Sequence, residues 1–212
     1  MKHIIWDWNG TLFHDIDAVV GATNAIFKPY GLAALDNEGF RAAYTRPIWV
    51  AYERMLGRPL REGEWEDLDQ AFHDHYHELM HACALAEGAL DCLRTWGESG
   101  RTQSLLSMWA HDRLVRKAAE LSIDRYFARI DGLSNGAPGG SKAEHMVAHI
   151  ESLDVRPSQV LVIGDSIDDA HAAQHVGAMA VLYTGGMTSR ADLAASGFPV
   201  VDDLADAFSF AT

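Results

Sequence analysis

Carboxylates follow two short apolar runs of this sequence, at positions where they could bind a metal ion together. Asp7 comes after Ile4-Ile5-Trp6 and opens a turn through Gly10, and Asp165 comes after the apolar run of residues 160–163. A brief apolar run closed by a turn is typical of a buried strand, so both carboxylates are expected at strand ends. Such a pair is suited to Mg²⁺, which prefers one or two carboxylates together with water and phosphate oxygens.

Two further side chains could hold a phosphoryl group beside this metal site. Ser107 follows the strand predicted over residues 102–106 and offers a hydroxyl donor. Lys142 lies just inside the predicted start of a helix, where free N–H groups already favour an anion. A nucleophilic carboxylate, a metal, a hydroxyl donor and a lysine are the groups that phosphoryl transfer through an aspartyl-phosphate requires.

The elements that must position these residues are of two kinds. Helical spacing of apolar residues over 15–28 is followed by helical patterns over 38–44, 48–56 and 64–85, with no convincing strand among them. After residue 88, short apolar runs alternate with helical patterns. This alternation predicts an α/β fold, a Rossmann-like doubly wound parallel sheet with helices on both faces. Strands are predicted at 102–106, 126–131, 160–163, 180–183 and 199–201.

The order of these patterns predicts a core of residues 1–14 and 87–212, interrupted by a small all-helical cap at 15–86 after the first strand. Ligands of such sheets bind beyond the carboxyl ends of the strands, where Asp7, Ser107 and Asp165 fall. We expect the cap, with hinges near 13–15 and 86–89, to close over the substrate and exclude water.

Composition limits the kind of partner. The 212-residue chain carries 17 Lys and Arg against 30 Asp and Glu, a formal net charge of −13. This excess argues against nucleic acid or an anionic membrane as a partner, and any bound phosphate needs a local cation. No apolar run reaches the length of about 18 residues that a membrane span needs. We expect a cytoplasmic monomer or homodimer that acts on a small phosphorylated molecule.

At this point the sequence resembles the haloacid dehalogenase superfamily, in particular its phosphoglycolate-phosphatase-like branch with a helical cap after the first strand. Ser107 is similar to the second motif of that superfamily and Lys142 to the third. The resemblance covers essentially the whole chain and implies a Mg²⁺-dependent phosphatase. The first and fourth motifs are matched by Ile4-Ile5-Trp6-Asp7-Trp8-Asn9-Gly10-Thr11-Leu12 and Gly164-Asp165-Ser166-Ile167-Asp168-Asp169.

The resemblance implies a role for each matched residue at the metal. Asp7 would attack phosphorus, and it would bind Mg²⁺ together with Asp165 and the backbone carbonyl of Asn9. A second acidic residue would act through metal-bound water. Asp169 is the better match for that position, and Asp168 is the alternative.

The resemblance likewise implies a phosphoryl-binding set. Ser107 and Lys142 would hold the phosphoryl group, with Asn9 and Gly10 of the first motif beside them. Lys142 would also screen the charge of Asp7.

Asn9 is where the sequence departs from the phosphatase pattern, which has an Asp there as general acid and base. An amide cannot shuttle protons at neutral pH, and such a group usually contributes about 10²–10⁴-fold to the rate. One interpretation is a phosphatase whose leaving group is protonated by water, by the substrate or by a side chain such as His14. The alternatives are a phosphonate hydrolase with Lys28 as Schiff base, a metal-independent dehalogenase, or a phosphate-binding or regulatory protein.

Several other residues allow both a functional and a structural interpretation. Arg46 lies between two predicted cap helices and could pair with a second anionic group of the substrate, or it could be a surface arginine. Trp8 could line the substrate entrance or pack in the core. Asp15 and Asp17 are interpreted as charges at a helix N-terminus. The loop 135–140 is either a flap or an ordinary connection.

The histidines of one predicted helix share a face at a spacing of four residues. This face could bind a soft metal, but no Cys or carboxylate at defined spacing completes a ligand set. A solvated helix face is the better interpretation. The residues concerned are His73, His77 and His81.

Overall fold

The computed structural model describes residues 1–134 and 141–211, and its strands are short and mostly buried. They are β1 (His3–Trp6), β2 (Phe13–His14), β3 (Ala84–Leu85), β4 (Thr102–Ala110), β5 (Arg129–Leu133), β6 (Val160–Gly164), β7 (Met179–Tyr183) and β8 (Val200–Val201). The α-helices are α1 (Ile16–Phe27), α2 (Asn37–Ala43), α3 (Ile48–Leu56), α4 (Glu64–Leu79), α5 (Ala89–Glu98), α6 (His111–Glu120), α7 (Lys142–Glu151), α8 (Ile167–Val176) and α9 (Arg190–Ala195). Short 3₁₀ helices cover Lys28–Tyr30, Met80–Ala82, Asp124–Tyr126, Pro157–Gln159 and Leu204–Phe210.

Six of the strands form one parallel sheet in the order β5-β4-β1-β6-β7-β8. From β4 the chain builds outward to β5, and it then returns to the other side of β1 to build β6, β7 and β8. The reversal beside β1 creates a crevice at the carboxyl ends of β1, β4 and β6, which is where such sheets bind ligands. The predicted Rossmann-like α/β fold is confirmed.

Alternating side chains of β1 explain why the sheet is buried on both faces. Ile4 and Trp6 enter one apolar cluster, which includes Leu93 of α5 and Leu114 of α6. Ile5 enters the other cluster, with Met146 of α7 and several alanines of α8. A strand with apolar residues on both faces requires a helical layer on each side, and this pins β1 at the centre of the molecule.

Helices α1 to α4 form a helical unit that is inserted between β2 and β3. Its interior contains Phe27, Tyr52 and Leu68, with the rings of Phe27 and Tyr52 packed edge to face at 5.1 Å. The two short strands that connect the helical unit to the sheet domain, β2 and β3, pair antiparallel. The predicted helix over 64–85 is wrong at its end, because the chain leaves α4 at Leu79 and becomes extended to pair with β2.

Two strand bounds also differ from prediction. β4 was expected to end before Ser107, but it continues to Ala110, with a register shift against β5 between Leu106 and Ala110. β5 begins at Arg129 rather than near residue 126, since Asp124–Tyr126 forms a 3₁₀ turn. Pairing between β4 and β5 sets both bounds, and no local pattern reports it. The loop 135–140 lies outside the described residues.

Among the described residues there is no helix of the length and apolarity that crossing a bilayer would take.

Candidate active site

Three buried carboxylates meet at the carboxyl ends of β1 and β6. Oxygens of Asp7, Asp165 and Asp169 lie within 4.8 Å of one another. The exposed fractions of these residues are only 7%, 5% and 1%. Within residues 1–134 and 141–211, this is the group of three or more acidic, His or Cys side chains close enough to share a metal ion.

A single lysine lies against this carboxylate cluster. The ammonium of Lys142 contacts one oxygen of Asp7 and one of Asp169, and all three side chains are at least nine-tenths buried. Three carboxylates against one ammonium leave an excess of two negative charges, and buried charge is costly unless it is compensated. A divalent cation would supply that compensation, and an all-oxygen donor set suits Mg²⁺. The residues therefore fit the expected metal.

The pKa values of Asp7, Asp165 and Lys142 are shifted in the directions that this charge imbalance predicts. Burial raises the pKa of Asp7, although Lys142 opposes the shift. Burial also raises the pKa of Asp165, and the neighbouring charges of Asp7 and Asp169 raise it further. Burial alone would lower the pKa of Lys142, but Asp169 and Asp7 outweigh it and raise that pKa. The lysine thus stays charged, and its single positive charge is set against three buried carboxylates.

Local structure at the start of α8 decides which acidic residue joins the cluster. Asp169 accepts hydrogen bonds from the N–H and the hydroxyl of Ser166, at 3.0 and 2.7 Å, in a capping box that aims it at Lys142. Asp168 points outward and pairs with Arg46 at 3.4 Å. Of the two candidates for the second acidic position, the structure brings Asp169 to the site and leaves Asp168 at its rim.

Asp165 is held in place by the loop after β7. Its Oδ2 accepts a hydrogen bond from the N–H of Met187 at 2.7 Å. Lys142, in turn, is positioned as the first residue of α7, whose N-cap Ser141 forms a capping box with Glu144. Each charged side chain of the cluster therefore begins at the rigid end of a strand or helix.

Gly10 is needed at the site because it has no side chain, and its amide N–H is used elsewhere. It adopts φ +75°, and a Cβ at this position would lie 2.5 Å from Oδ2 of Asp165. Its N–H donates to the carbonyl of Phe13 and to Oδ1 of Asp15, both at 2.9 Å. Gly10 was expected to bind phosphate. Its N–H does not support that role, because it already donates two hydrogen bonds within the tight turn.

Ser107 lies in the irregular part of β4 and lines the cavity above the cluster. Its Oγ accepts a hydrogen bond from the N–H of Trp109 at 3.0 Å. The hydroxyl proton therefore remains available to a ligand oxygen. This geometry suits a hydrogen bond from Ser107 to a phosphoryl oxygen.

The cavity has a volume of about 480 Å³ and is lined by residues of both the helical unit and the sheet domain. Tyr44 and Arg46 reach it from the helical unit, and Arg46 donates to the Tyr44 hydroxyl at 3.1 Å. His171 and His175 line it from α8 and were not singled out from the sequence. They follow Asp168 by three and seven residues and therefore share a face of α8 with it. This spacing could have identified them from the sequence.

Three residues considered from the sequence lie away from the cavity. His14 is exposed on β2 and Lys28 is exposed at the end of α1, and neither lines the cavity. Trp8 is fully buried and stacks on Phe13 at 5.0 Å, so it belongs to the core. These positions do not support His14 as a source of the proton or Lys28 as a Schiff base.

The histidine face of α4 does not line the cavity above the carboxylate cluster. The rings of His73 and His77 stack at 6.0 Å, and Arg113 of α6 contacts the His77 ring. His81 lies one turn further along. An arginine against an imidazole argues against a cation at this face.

Asp15 differs from its interpretation as a helix-terminal charge, and Tyr76 was missed. Asp15 is fully buried and forms no side-chain cap on α1. Instead its Oδ2 accepts hydrogen bonds from Nδ2 of Asn9 at 2.7 Å and from the Tyr76 hydroxyl at 2.6 Å. Burial raises the pKa of Asp15, and these hydrogen bonds oppose the shift. Asp17 does lie exposed in the first turn of α1.

Comparison with known proteins places this site in a family. The sequence profile of haloacid dehalogenase-like hydrolases matches residues 1–177. A phosphoglycolate phosphatase of Synechococcus elongatus is 25% identical over 198 residues, covering 92% of this chain and 90% of the relative. An N-acetylmuramic acid 6-phosphate phosphatase of Pseudomonas aeruginosa is 22% identical, covering 84% and 79%.

Solved structures share the fold across the whole chain. A haloacid dehalogenase-like family protein of Streptococcus pneumoniae has a TM-score of 0.83 at 20% identity, covering 100% of this chain and 99% of that protein. The chain belongs to the haloacid dehalogenase-like hydrolase family. The predicted family and the predicted enzyme class, a phosphatase-type hydrolase, are confirmed.

Proposed function

We propose that this protein is a Mg²⁺-dependent phosphohydrolase that acts on a small phosphomonoester with Asp7 as the covalent nucleophile. The observation that carries the proposal is the buried cluster of Asp7, Asp165 and Asp169 around the ammonium of Lys142. It combines a carboxylate nucleophile with a cation site and a fixed positive charge, at the sheet edge where ligands bind.

Each residue of the cluster has a separate role in phosphoryl transfer. One carboxylate oxygen of Asp7 attacks phosphorus, the bond from phosphorus to the leaving oxygen breaks, and that oxygen takes a proton from solvent or the substrate. Water then attacks the phosphorus of the aspartyl-phosphate, releasing phosphate and regenerating the Asp7 carboxylate. Lys142 and the Ser107 hydroxyl hold the non-bridging oxygens and stabilise their charge.

Asp7, Asp165 and the backbone carbonyl of Asn9 would hold Mg²⁺, with Asp169 supporting it through water. The cation neutralises charge on the phosphoryl oxygens when it is bound. The three buried carboxylates support this assignment, because Lys142 balances only one of them.

The cavity supports a small substrate, since about 480 Å³ accommodates a small metabolite and no protein segment. The helical unit would act as a cap over residues 15–86 that opens and closes on β2 and β3. Arg46, half exposed at the rim, would exchange Asp168 for a second anionic group of the substrate. Phosphoglycolate, the substrate named for several relatives, carries such a group and is the first compound to test.

The test is hydrolysis of p-nitrophenyl phosphate with Mg²⁺ or with chelator. Nitrophenolate leaves without a proton, so this substrate bypasses the missing acid at position 9. We expect Mg²⁺-dependent turnover that falls by about 10³-fold or more in Asp7→Asn. Asp91→Asn, which changes an exposed carboxylate of α5, is the matched control and should behave as wild type.

Turnover that is absent in the wild type, or equal in Asp7→Asn, would refute the proposal. A phosphate-binding protein without turnover is the second candidate, because Asn9 replaces the acid–base group of the family. It predicts Mg²⁺-dependent binding of inorganic phosphate, measured by calorimetry, without hydrolysis of either substrate.

A further inference from the structure

Asn9, Asp15 and Tyr76 form a closed triangle of hydrogen bonds beside the nucleophile. Nδ2 of Asn9 donates to Oδ2 of Asp15 at 2.7 Å and to the Tyr76 hydroxyl at 2.9 Å. The Tyr76 hydroxyl donates to the same Oδ2 at 2.6 Å. Asp15 is fully buried and Tyr76 is 5% exposed, while Asn9 lines the cavity. The triangle joins three parts of the chain: the turn after β1, the start of α1, and α4.

The triangle permits one orientation of the Asn9 amide. Both amide protons are used, and Oδ1 accepts no hydrogen bond from the residues that the structure describes. The reversed amide would place its carbonyl oxygen against the Asp15 carboxylate, which repels it and needs donors. Asp15 already receives the Gly10 N–H on its other oxygen. The side-chain atom of Asn9 that remains available to a ligand in the cavity is therefore the acceptor Oδ1.

We propose that Asp15 and Tyr76 are positioning residues that hold Oδ1 of Asn9 toward the reacting phosphoryl group, where it accepts a hydrogen bond from the attacking water. The inference rests on the proposed function. In the hydrolytic step the water oxygen bonds to phosphorus, the bond from phosphorus to Asp7 breaks, and the water proton moves to a phosphoryl oxygen. Asn9 orients the water and takes no proton, as amide side chains do in other phosphoryl-transfer sites.

The triangle also explains why position 9 carries an amide in this chain. A carboxylate there would lie about 2.7 Å from that of Asp15, at the buried distance now spanned by a hydrogen bond. Two like charges so close in a desolvated site repel strongly. The residue at position 9 is thus coupled to the residue at position 15. An acid at position 9 could serve catalysis only if the side chain at position 15 carried no charge.

The first arm of the test separates the two chemical steps with p-nitrophenyl phosphate in a rapid-mixing experiment. We expect Tyr76→Phe to keep the initial burst of nitrophenolate and to lower the steady-state rate about tenfold, the effect of one hydrogen bond. Tyr52→Phe, which removes another buried tyrosine hydroxyl of the helical unit, is the matched control. A loss of burst and steady-state rate in equal measure would indicate a merely structural role and overturn the proposal, as would equal behaviour of the two variants.

The second arm exchanges the carboxylate between the two positions. We expect Asn9→Asp to lower both the melting temperature and turnover, and Asn9→Asp combined with Asp15→Asn to restore both. An Asn9→Asp variant that is stable and turns over an alkyl phosphate at least tenfold faster than wild type would overturn the coupling. If the wild type shows no Asp7-dependent turnover, the proposed function fails instead, and the melting temperatures of wild type, Asn9→Asp, Asp15→Asn and the double variant still decide whether positions 9 and 15 are coupled.

Discussion

Single residues at this site act through close approach, and Gly10 shows how. Its missing Cβ leaves room for Oδ2 of Asp165, which would otherwise meet it at 2.5 Å. The turn that Gly10 forms thus lets two strand ends come within metal-binding distance. The glycine of the first motif therefore determines the position of a carboxylate that is 155 residues away in the chain (165 − 10).

Gly10→Ala is expected to displace Asp165 and weaken metal binding. Gly57→Ala is the matched control, since Gly57 also has a positive φ (+66°) but faces open space. Both should lose about 1–2 kcal/mol of unfolding free energy from backbone strain. Gly10→Ala alone should raise the Mg²⁺ concentration for half-maximal activity, by roughly tenfold if one ligand is displaced. An equal Mg²⁺ requirement in the two variants would show that the approach to Asp165 has no bearing on the metal.

At the scale of elements, α2 of the helical unit is tied to the loop that holds Asp165. Arg41 donates from Nε to the carbonyl of Gly186 at 2.8 Å and from Nη2 to that of Gly185 at 3.4 Å. The next residue, Met187, donates its N–H to Asp165. The helical unit and the carboxylate cluster are therefore linked through three consecutive residues.

Removing this link should affect binding more than chemistry. We expect Arg41→Ala to raise KM about three- to tenfold with a smaller change in kcat, because the closed arrangement loses one to two hydrogen bonds. Arg61→Ala, at an exposed position of the same unit, should leave both constants unchanged. Steady-state kinetics on p-nitrophenyl phosphate measure the difference. A KM in Arg41→Ala that matches the control would mean that α2 has no part in closure.

At the scale of the whole molecule, a buried histidine makes the stability of the fold sensitive to mild acid. His3 lies at the amino-terminal edge of the sheet, opposite the site, and shares hydrogen bonds with Thr102 and Ser104 at 2.7 Å each. Burial lowers the pKa of His3 to about 4, with His149 adding to the shift. An unfolded histidine titrates near 6.5. The unfolded chain therefore takes up this proton at a higher pH than the folded protein does.

The sign of the effect follows from that difference. The contribution of His3 to the free energy of unfolding is complete above pH 6.5, and it is lost as the pH falls toward 4, by about 2–3 kcal/mol. Urea unfolding between pH 7 and pH 4.5 should therefore show a flatter profile for His3→Gln than for wild type. His14→Gln, at an exposed position, should follow the wild-type profile. Parallel profiles for all three proteins would show that His3 protonates as easily in the folded state as in the unfolded chain.

The parallel sheet and the strand ends that carry the site could be predicted from the sequence, because they depend on local patterns of residues. Apolar runs closed by turns report burial directly, so β1, β6 and β7 were predictable with Asp7 and Asp165 at the ends of the first two. The motif spacing also indicated Ser107 and Lys142 as partners, and the structure brings all four to one cavity. These features depend on residues near one another in the chain, which a pattern can report.

Contacts between distant segments decided the rest. The pairing of β2 with β3 ended α4 early, and the pairing of β4 with β5 placed Ser107 inside a strand. The choice of Asp169 over Asp168 depended on which way each side chain leaves α8, and the role of Asp15 depended on Tyr76, 61 residues away. Burial and side-chain direction are properties of the packed molecule, because they follow from what lies opposite each residue. The sequence determined which groups were available for chemistry, and the tertiary structure decided which of them meet.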